Sequence, residues 1–426
     1  MTANSNNLLV DYSHALSLLL EVAQNQKITH VKSKPLLKSH YRVLANDVKS
    51  AINVPPFNNS AMDGFAINTS QVNDLVKNNK PIKLLVTGSI QAGDHSEINT
   101  QAKTPIAWAI MTGAPVPDFF DAVIPIENIV EQSDELNKYI LFDEDVQPGR
   151  NIRKSGTDYK INQTVMSKHT LIRSAQIMAL ATIGKNKVNV LPNVPIAIIS
   201  TGNELSKQKN LNPGKIFNSN QPYLKSYSKS VNCKVKFVGK CNDNSASFND
   251  LIDQALSKNV KIIISTGAVS MGEYDFIPQA LKLRGATTHF HKSKIRPGKP
   301  ILFAELPNGT IYFGLPGNPI AAAAGMRFFV VPLIREMLGL TKESTIKANL
   351  LNDLSKKQGF RTFAKAKARV STQGQLTVEM LQDQGSYQSN SFTRANCWLI
   401  LPENCGQINA GELVEIVPMI PNQIII

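Results

Sequence analysis

Between residues 194 and 338 the chain alternates short β-branched runs with stretches whose apolar residues recur at helical spacing. Pro195-Ile196-Ala197-Ile198-Ile199, Lys261-Ile262-Ile263-Ile264 and Ile311-Tyr312-Phe313 have the length and composition of strands buried on both faces. Val235-Lys236-Phe237-Val238 and Ile301-Leu302-Phe303 read as further strands. The stretch 246–258 places Phe248, Leu251, Ile252, Ala255 and Leu256 on one helical face, and 276–283 and 320–338 read as helices too. An alternation of this kind has few solutions. It predicts a doubly wound α/β domain with a largely parallel sheet.

The flanking regions follow different rules. Residues 13–25 read as an amphipathic helix capped by Ser13, with Ala15, Leu16, Leu19, Leu20, Val22 and Ala23 as its stripe. Residues 41–190 carry short β-like runs broken by Val54-Pro55-Pro56, Thr87-Gly88, Ala92-Gly93-Asp94 and Gly113-Ala114-Pro115, a mixed β-rich architecture. A helix at 174–183 closes that region, with Gly184 placed to end it. Residues 341–426 return to alternating polar and apolar runs and predict a small β-barrel or sandwich. The expected division is 1–190, with a β-rich subdomain inserted at about 50–150, then 191–341 and 342–426.

Composition narrows the partners. With 42% hydrophobic and 18% charged residues, the 426-residue chain is not disordered. No apolar run approaches the ~18 residues of a membrane span; the longest, from Ile320 to Ile334, contains Arg327 and Pro332. The first residues show no secretory-signal pattern, and Cys233, Cys241, Cys397 and Cys405 lack zinc-site spacing, so reduced thiols and a cytoplasmic location are expected. A net charge of +14 favours anionic partners, with solubility alone as the rival explanation. Nucleic acid is disfavoured: aromatics are 7% and no basic-aromatic interleaving occurs.

Chemistry concentrates where strands end. The first strand runs into Ser200-Thr201-Gly202-Asn203-Glu204-Leu205. The third runs into Ser265-Thr266-Gly267-Ala268-Val269-Ser270-Met271-Gly272-Glu273-Tyr274-Asp275, and the last into Gly314-Leu315-Pro316-Gly317-Asn318-Pro319. Glycine lets backbone amides approach an anion, hydroxyls add donors, and a following helix start presents free N–H groups. Three such turns on one sheet edge predict an anionic ligand. Glu204 and Asp275 would repel that ligand unless a divalent cation lies between them; Asp275 can alternatively cap the next helix.

The densest basic stretch runs from His289 to Pro300. If extended, Lys292, Lys294 and Arg296 share a face, and Pro297-Gly298 can turn Arg296 and Lys299 toward the ligand edge, whereas Lys294 reads as solvated. His289 and His291 lack a third ligand for a metal pair. In the N-terminal half, residues 55–66 and 111–117 read as ordered loops around a site. No nucleophilic triad, metalloprotease helix or Walker A loop is present.

Taken together, PPFNNSAMDGFA, MTGAPVP, DAVIPIEN, GRNIRKSGTDYK, STGNEL, GKIFNSN, STGAVSMGEYD, KIRPGKP, GLPGNP and SFTRANCWLILPE resemble, in order and over residues 10 to 418, the molybdopterin molybdenumtransferase family of MoeA proteins and the gephyrin E-domain. The resemblance implies insertion of molybdate into adenylyl-molybdopterin with release of AMP, by a homodimer of four-domain chains using Mg²⁺ or another divalent cation. By motif it implies Asp63, Thr112, Asp158, Glu204, Asp275, Lys292 and Arg296 as catalytic residues. It further implies Thr201, Gly202, Asn218, Ser265, Thr266, Gly267, Ser270, Lys299, Pro316, Gly317, Asn318 and Pro319 as ligand contacts, with Glu204, Asn218 and Asp275 around the cation.

Four positions depart from the family pattern. Asn218 stands where the family has Asp and loses a charge, and Ala268 stands where Gly is usual. Ala321 replaces a frequent Ser, and Arg296 a frequent Lys. Two alternatives follow from the resemblance: molybdopterin adenylyltransferase activity, or a catalytically weakened pterin-binding scaffold. A molybdopterin adenylyltransferase is also an expected partner.

Overall fold

The central alternation folds as a six-stranded sheet flanked by helices. In the computed structural model, which describes residues 9–76, 81–95, 104–206, 211–269 and 276–423, its elements run β1 (Val194–Thr201), α1 (Asn220–Ser230), β2 (Cys233–Cys241), α2 (Ser245–Ser257), β3 (Ile262–Thr266), α3 (Ile277–Leu283), β4 (Thr287–Phe290), β5 (Leu302–Glu305), β6 (Ile311–Leu315) and α4 (Pro319–Gly325). The sheet order is β2-β1-β3-β6-β5-β4. The first four strands are parallel, β5 runs antiparallel to β6, and β4, antiparallel to β5, runs with the first four.

The two-residue period of a strand sorts these side chains into two cores. Ile196, Ile198, Ile262, Ile264, Ile311 and Phe313 pack with Leu224 and Tyr227 of α1 and with residues 320–338. Their neighbours Ala197, Ile199, Ile263 and Tyr312 pack on the other face with Phe248 and Ile252 of α2 and Ile277 of α3. Both faces are covered, as near-continuous β-branched runs require.

The expected helix at 320–338 is three pieces: α4, a π-helical stretch Met326–Val330, and α5 (Val331–Met337). The irregular stretch lies just before Pro332, which has no N–H to give the Phe328 carbonyl four residues back. Tyr12 Oη donates to that carbonyl at 3.3 Å. Tyr12 opens the N-terminal helix Tyr12–Asn25, which shares the core of α5. Ser13 does not cap this helix; Asp11 holds the capping position without a side-chain cap bond, and its carboxylate instead meets Lys294 at 3.0 Å.

The N-terminal half carries a mixed six-stranded sheet, in the order Val130–Ser133, Lys138–Phe142, Ile82–Ile90, Ile106–Ile110, Gly64–Ile67, Ala122–Pro125. A separate three-stranded sheet places Lys187–Leu191 between Lys32–Pro35 and Val43–Leu44. Helix Ser174–Thr182 precedes Gly184, whose φ of +75° is the left-handed stop the sequence predicts.

At the C-terminal end, Arg361–Val370, Leu376–Met380, Ile346–Leu350, Leu413–Pro418 and Cys397–Leu401 close on themselves as a five-stranded barrel. All four cysteines are free, and burial pushes the Cys241 thiol up to about 11. The barrel docks through Phe363, which stacks on Phe328 at 3.6 Å and meets the Tyr12 ring edge-on at 5.3 Å. Because Phe363 is fully buried between three elements, Phe363→Ala should destabilise the protein by about 3–5 kcal/mol, read as a lower denaturation midpoint.

Candidate active site

Strand register brings the three glycine turns together. Ser200 lies opposite Thr266, and Thr266 opposite Leu315, so the loops leave β1, β3 and β6 at one end of the sheet. Gly267 N donates to Leu315 O at 3.1 Å, and Thr201 Oγ1 donates to Thr266 O at 3.2 Å. A Cβ on Gly267, where φ is +93°, would lie 2.7 Å from both the carbonyl and the hydroxyl oxygen of Thr201. A Cβ on Gly317 would lie 3.8 Å from Gly267 Cα. The turns at 201, 267 and 317 therefore meet at backbone contact distance. Thr201, Thr266 and Pro316 are buried, whereas Gly317 and Asn318 are exposed. Asn318 holds the capping position of α4 with no side-chain cap bond, and Pro319 follows as its first residue.

Ser265 does not belong to this edge. It is fully buried, and its hydroxyl bonds the Tyr312 hydroxyl inside the sheet, one strand position before Thr266 and so on the opposite face. Its assignment as a ligand contact is corrected.

The loop after β1 is clamped through its carbonyls. Lys215 Nζ donates to Asn203 O at 2.7 Å, and Lys240 Nζ donates to Leu205 O. Asn203 N donates to Asp243 Oδ2 at 3.0 Å. Glu204 is exposed and folds back over Gly202, where a Cβ would lie 2.5 Å from its Oε2. Asn218 Oδ1 accepts from Gln221 N at 3.1 Å and so caps the start of α1. Glu204 and Asn218 are oxygen donors of the type Mg²⁺ prefers when phosphate supplies further ligands. Among the described residues no three His, Cys, Asp or Glu side chains form a metal cluster. Ser270 and Asp275 lie outside the described residues.

The basic stretch flanks the same edge. Lys292–Ser293 pairs with Leu9–Val10, and Ile295–Arg296 pairs with Arg361–Thr362. Ser293 and Ile295 are buried, which turns Lys292, Lys294 and Arg296 to the other side, as alternation predicts. Lys294 is not simply solvated, since it holds Asp11. At Gly298, with φ of +102°, a Cβ would lie 3.3 Å from Ala321 O, so the Pro-Gly turn packs on α4. Arg296 and Lys299 are exposed, with Lys299 Nζ 5.7 Å from the Phe360 ring centre. The two histidines diverge: His291 Nε2 hydrogen-bonds Val269 O at 2.9 Å, and His289 stacks on Phe303 beside Glu305.

A second cluster forms in the N-terminal half. Asp63 Oδ1 accepts from Thr112 N at 2.6 Å, and this bond, reinforced by the Thr112 side chain, holds the exposed Asp63 carboxyl below its usual range. Gly113 N donates to Ser60 O at 2.9 Å, and Ser155 N to Asn58 Oδ1 at 3.0 Å. Asp158 is exposed on the same laced loops, its N–H bonded to Val54 O at 2.9 Å. Among the described residues no hydrogen bond or ion pair joins this cluster to the turns at 201, 267 and 317.

Three family models match consecutive parts of the chain: "MoeA N-terminal region (domain I and II)" over residues 10–184, "Probable molybdopterin binding domain" over 197–336, and "MoeA C-terminal region (domain IV)" over 347–419. A molybdopterin molybdenumtransferase of Synechococcus elongatus is 32% identical over 96% of this chain and 99% of its own length. The chain belongs to the MoeA family. The Haemophilus influenzae molybdopterin molybdenumtransferase is 33% identical over 88% of this chain and 91% of its own. The crystal structure of the moeA protein from Pyrococcus horikoshii superposes with a TM-score of 0.81 at 26% identity, covering 96% of this chain and all of that one.

Sequence reasoning missed two residues that shape the edge in this MoeA-family chain. Asn220 Nδ2 donates to Gly317 O at 2.7 Å and ties the Pro316-Gly317-Asn318 turn to α1. His291 ties the loop after β3 to the basic stretch. Asn220 lies within GKIFNSN, but nothing in that string shows what its amide reaches.

Two outcomes follow for this MoeA-family site. Ala268 sits at φ +50°, a region that costs a residue with a Cβ about 1–2 kcal/mol; Ala268→Gly should therefore raise stability by roughly 1 kcal/mol or less, net of the glycine's extra unfolded-state freedom, in a chemical denaturation series. Asp63→Ala should speed hydrogen exchange at the Thr112 amide. In the wild type that protection holds at neutral pH and is lost as pH falls through the depressed Asp63 titration, because a lowered carboxyl pKa stabilises the ionised, bonded form.

Proposed function

We propose that this MoeA-family enzyme of molybdenum cofactor biosynthesis inserts molybdate into adenylyl-molybdopterin, releasing AMP and leaving Mo-molybdopterin. The observation that carries the reading is the meeting of the turns at 201, 267 and 317 at one sheet edge. A diphosphate bridge needs closely packed backbone donors, and side chains would fill that space. Thr201, Gly202, Thr266 and Gly267 would cradle the bridge. Pro316 and Pro319 shape the turn that presents Gly317 and the Asn318 side chain, which makes no cap bond to α4. Arg296, Lys292 and Lys299 would hold anionic oxygens, Arg296 through its planar fork.

Glu204 and Asp275, with Asn218 through its remaining lone pair, would hold Mg²⁺, which when bound polarises the scissile phosphoanhydride. Asp63, Thr112 and Asp158 would line the reacting end. In a homodimer the loops carrying them would complete the site of a second copy. We further propose a division at about residues 190 and 341, a cytoplasmic location and a molybdopterin adenylyltransferase that delivers the substrate. No helix among the described residues is long and apolar enough to cross a membrane.

The adenylyltransferase and scaffold alternatives are not favoured. The molybdopterin molybdenumtransferases that resemble this chain match it well beyond the central sheet, to which an adenylyl transfer could be confined. Incubation with adenylyl-molybdopterin, molybdate and Mg²⁺ should release AMP in proportion to molybdate. Asp275→Asn should abolish release, Glu204→Gln should lower it, and Asn218→Asp should maintain or raise it. AMP release indifferent to molybdate, or transfer of AMP from ATP to molybdopterin, would overturn the assignment.

A further inference from the structure

At the far end of the central sheet, where β1 begins, lies a hollow of about 190 Å³ with Pro195 in its wall. Pro195 and Thr201 are six positions apart on one strand, so this end is about 20 Å from the glycine turns. Five permanent cations and a histidine converge on it: Lys32 and Lys34 from strand Lys32–Pro35, Arg42, Lys234 and Lys236 from β2, and His30. Among the described residues no carboxylate lines it. Among the described residues none of the five cations forms an ion pair.

Both strands are sheet edges, and lysines at alternate positions are a usual defence of an edge against pairing. That defence explains each pair alone. It does not explain why two defended edges from different sheets face each other across one hollow, where their charges repel without a counter-ion. A counter-anion resolves the conflict, and its charge can be matched: a single phosphate at about −2 leaves most of five positive charges uncompensated.

We propose that this hollow binds an oligophosphate group, supplied either by inorganic polyphosphate or by a nucleoside triphosphate, at a site separate from the active-site edge. The bound group bridges the three-stranded sheet of the N-terminal half and the central sheet, so it also stabilises their junction.

The test measures binding of inorganic tripolyphosphate, ATP, AMP and orthophosphate by calorimetry, with the melting temperature followed in parallel. Tripolyphosphate should bind and raise the melting temperature, orthophosphate and AMP should bind far more weakly, and ATP compared with tripolyphosphate identifies the source. Lys34→Gln/Lys236→Gln should weaken tripolyphosphate at least about tenfold while leaving molybdate-dependent AMP release unchanged. Lys258→Gln/Lys357→Gln, with the same change in net charge on exposed positions elsewhere, should bind as wild type. The proposal is overturned if no oligophosphate binds, if the first pair of substitutions leaves affinity intact, or if both pairs weaken it equally. It is also overturned if single-stranded DNA binds more tightly with increasing length, which would mark an extended nucleic-acid surface instead.

Discussion

Everything at the active-site edge depends on the missing side chain at residue 267. The carbonyl and hydroxyl of Thr201 stand where its Cβ would be, and Gly317 packs on its other side. Any larger residue would push β1 and β3 apart at their ends and separate the donors that a diphosphate needs. Parallel register brings the three turns to one edge, but the glycine decides that they touch. The next residue bears the cost of that bend, with Ala268 forced into a conformation glycine would adopt freely.

The central fold was legible because its chemistry repeats every second residue. Ile196 and Ile198 had to face one core and Ala197 and Ile199 another, and short runs of this kind have few alternatives. Strand β2 read shorter than it is because the exposed Lys234 at one end and Gly239-Lys240 at the other interrupt the apolar signal on either side of residues 235–238. Helix Thr69–Val76 was invisible for a different reason. Its first residue is fixed by Asp121, whose carboxylate accepts from the Thr69 amide and hydroxyl across 52 residues of sequence.

Within the site, what could be read was which loops matter, and what could not was where each side chain points. The strings containing Asp63 and Thr112 both read as site loops, and the structure joins those two residues directly. Ser265 looked equivalent to Thr266 by composition, yet one step along a strand reverses the face, and Tyr312 claims its hydroxyl. The Asn220 amide and the His291 ring act through backbone carbonyls, which carry no signature in a sequence.

Pro332 has a consequence for modularity. By withholding an N–H in mid-helix it leaves the Phe328 carbonyl to be served by a hydroxyl from the far end of the chain. The α/β unit thus borrows part of its packing from the first helix. Excised at its own boundaries it would lose the Tyr12 donor and bare the apolar flank that the first helix covers, so the sheet and the first helix share one core.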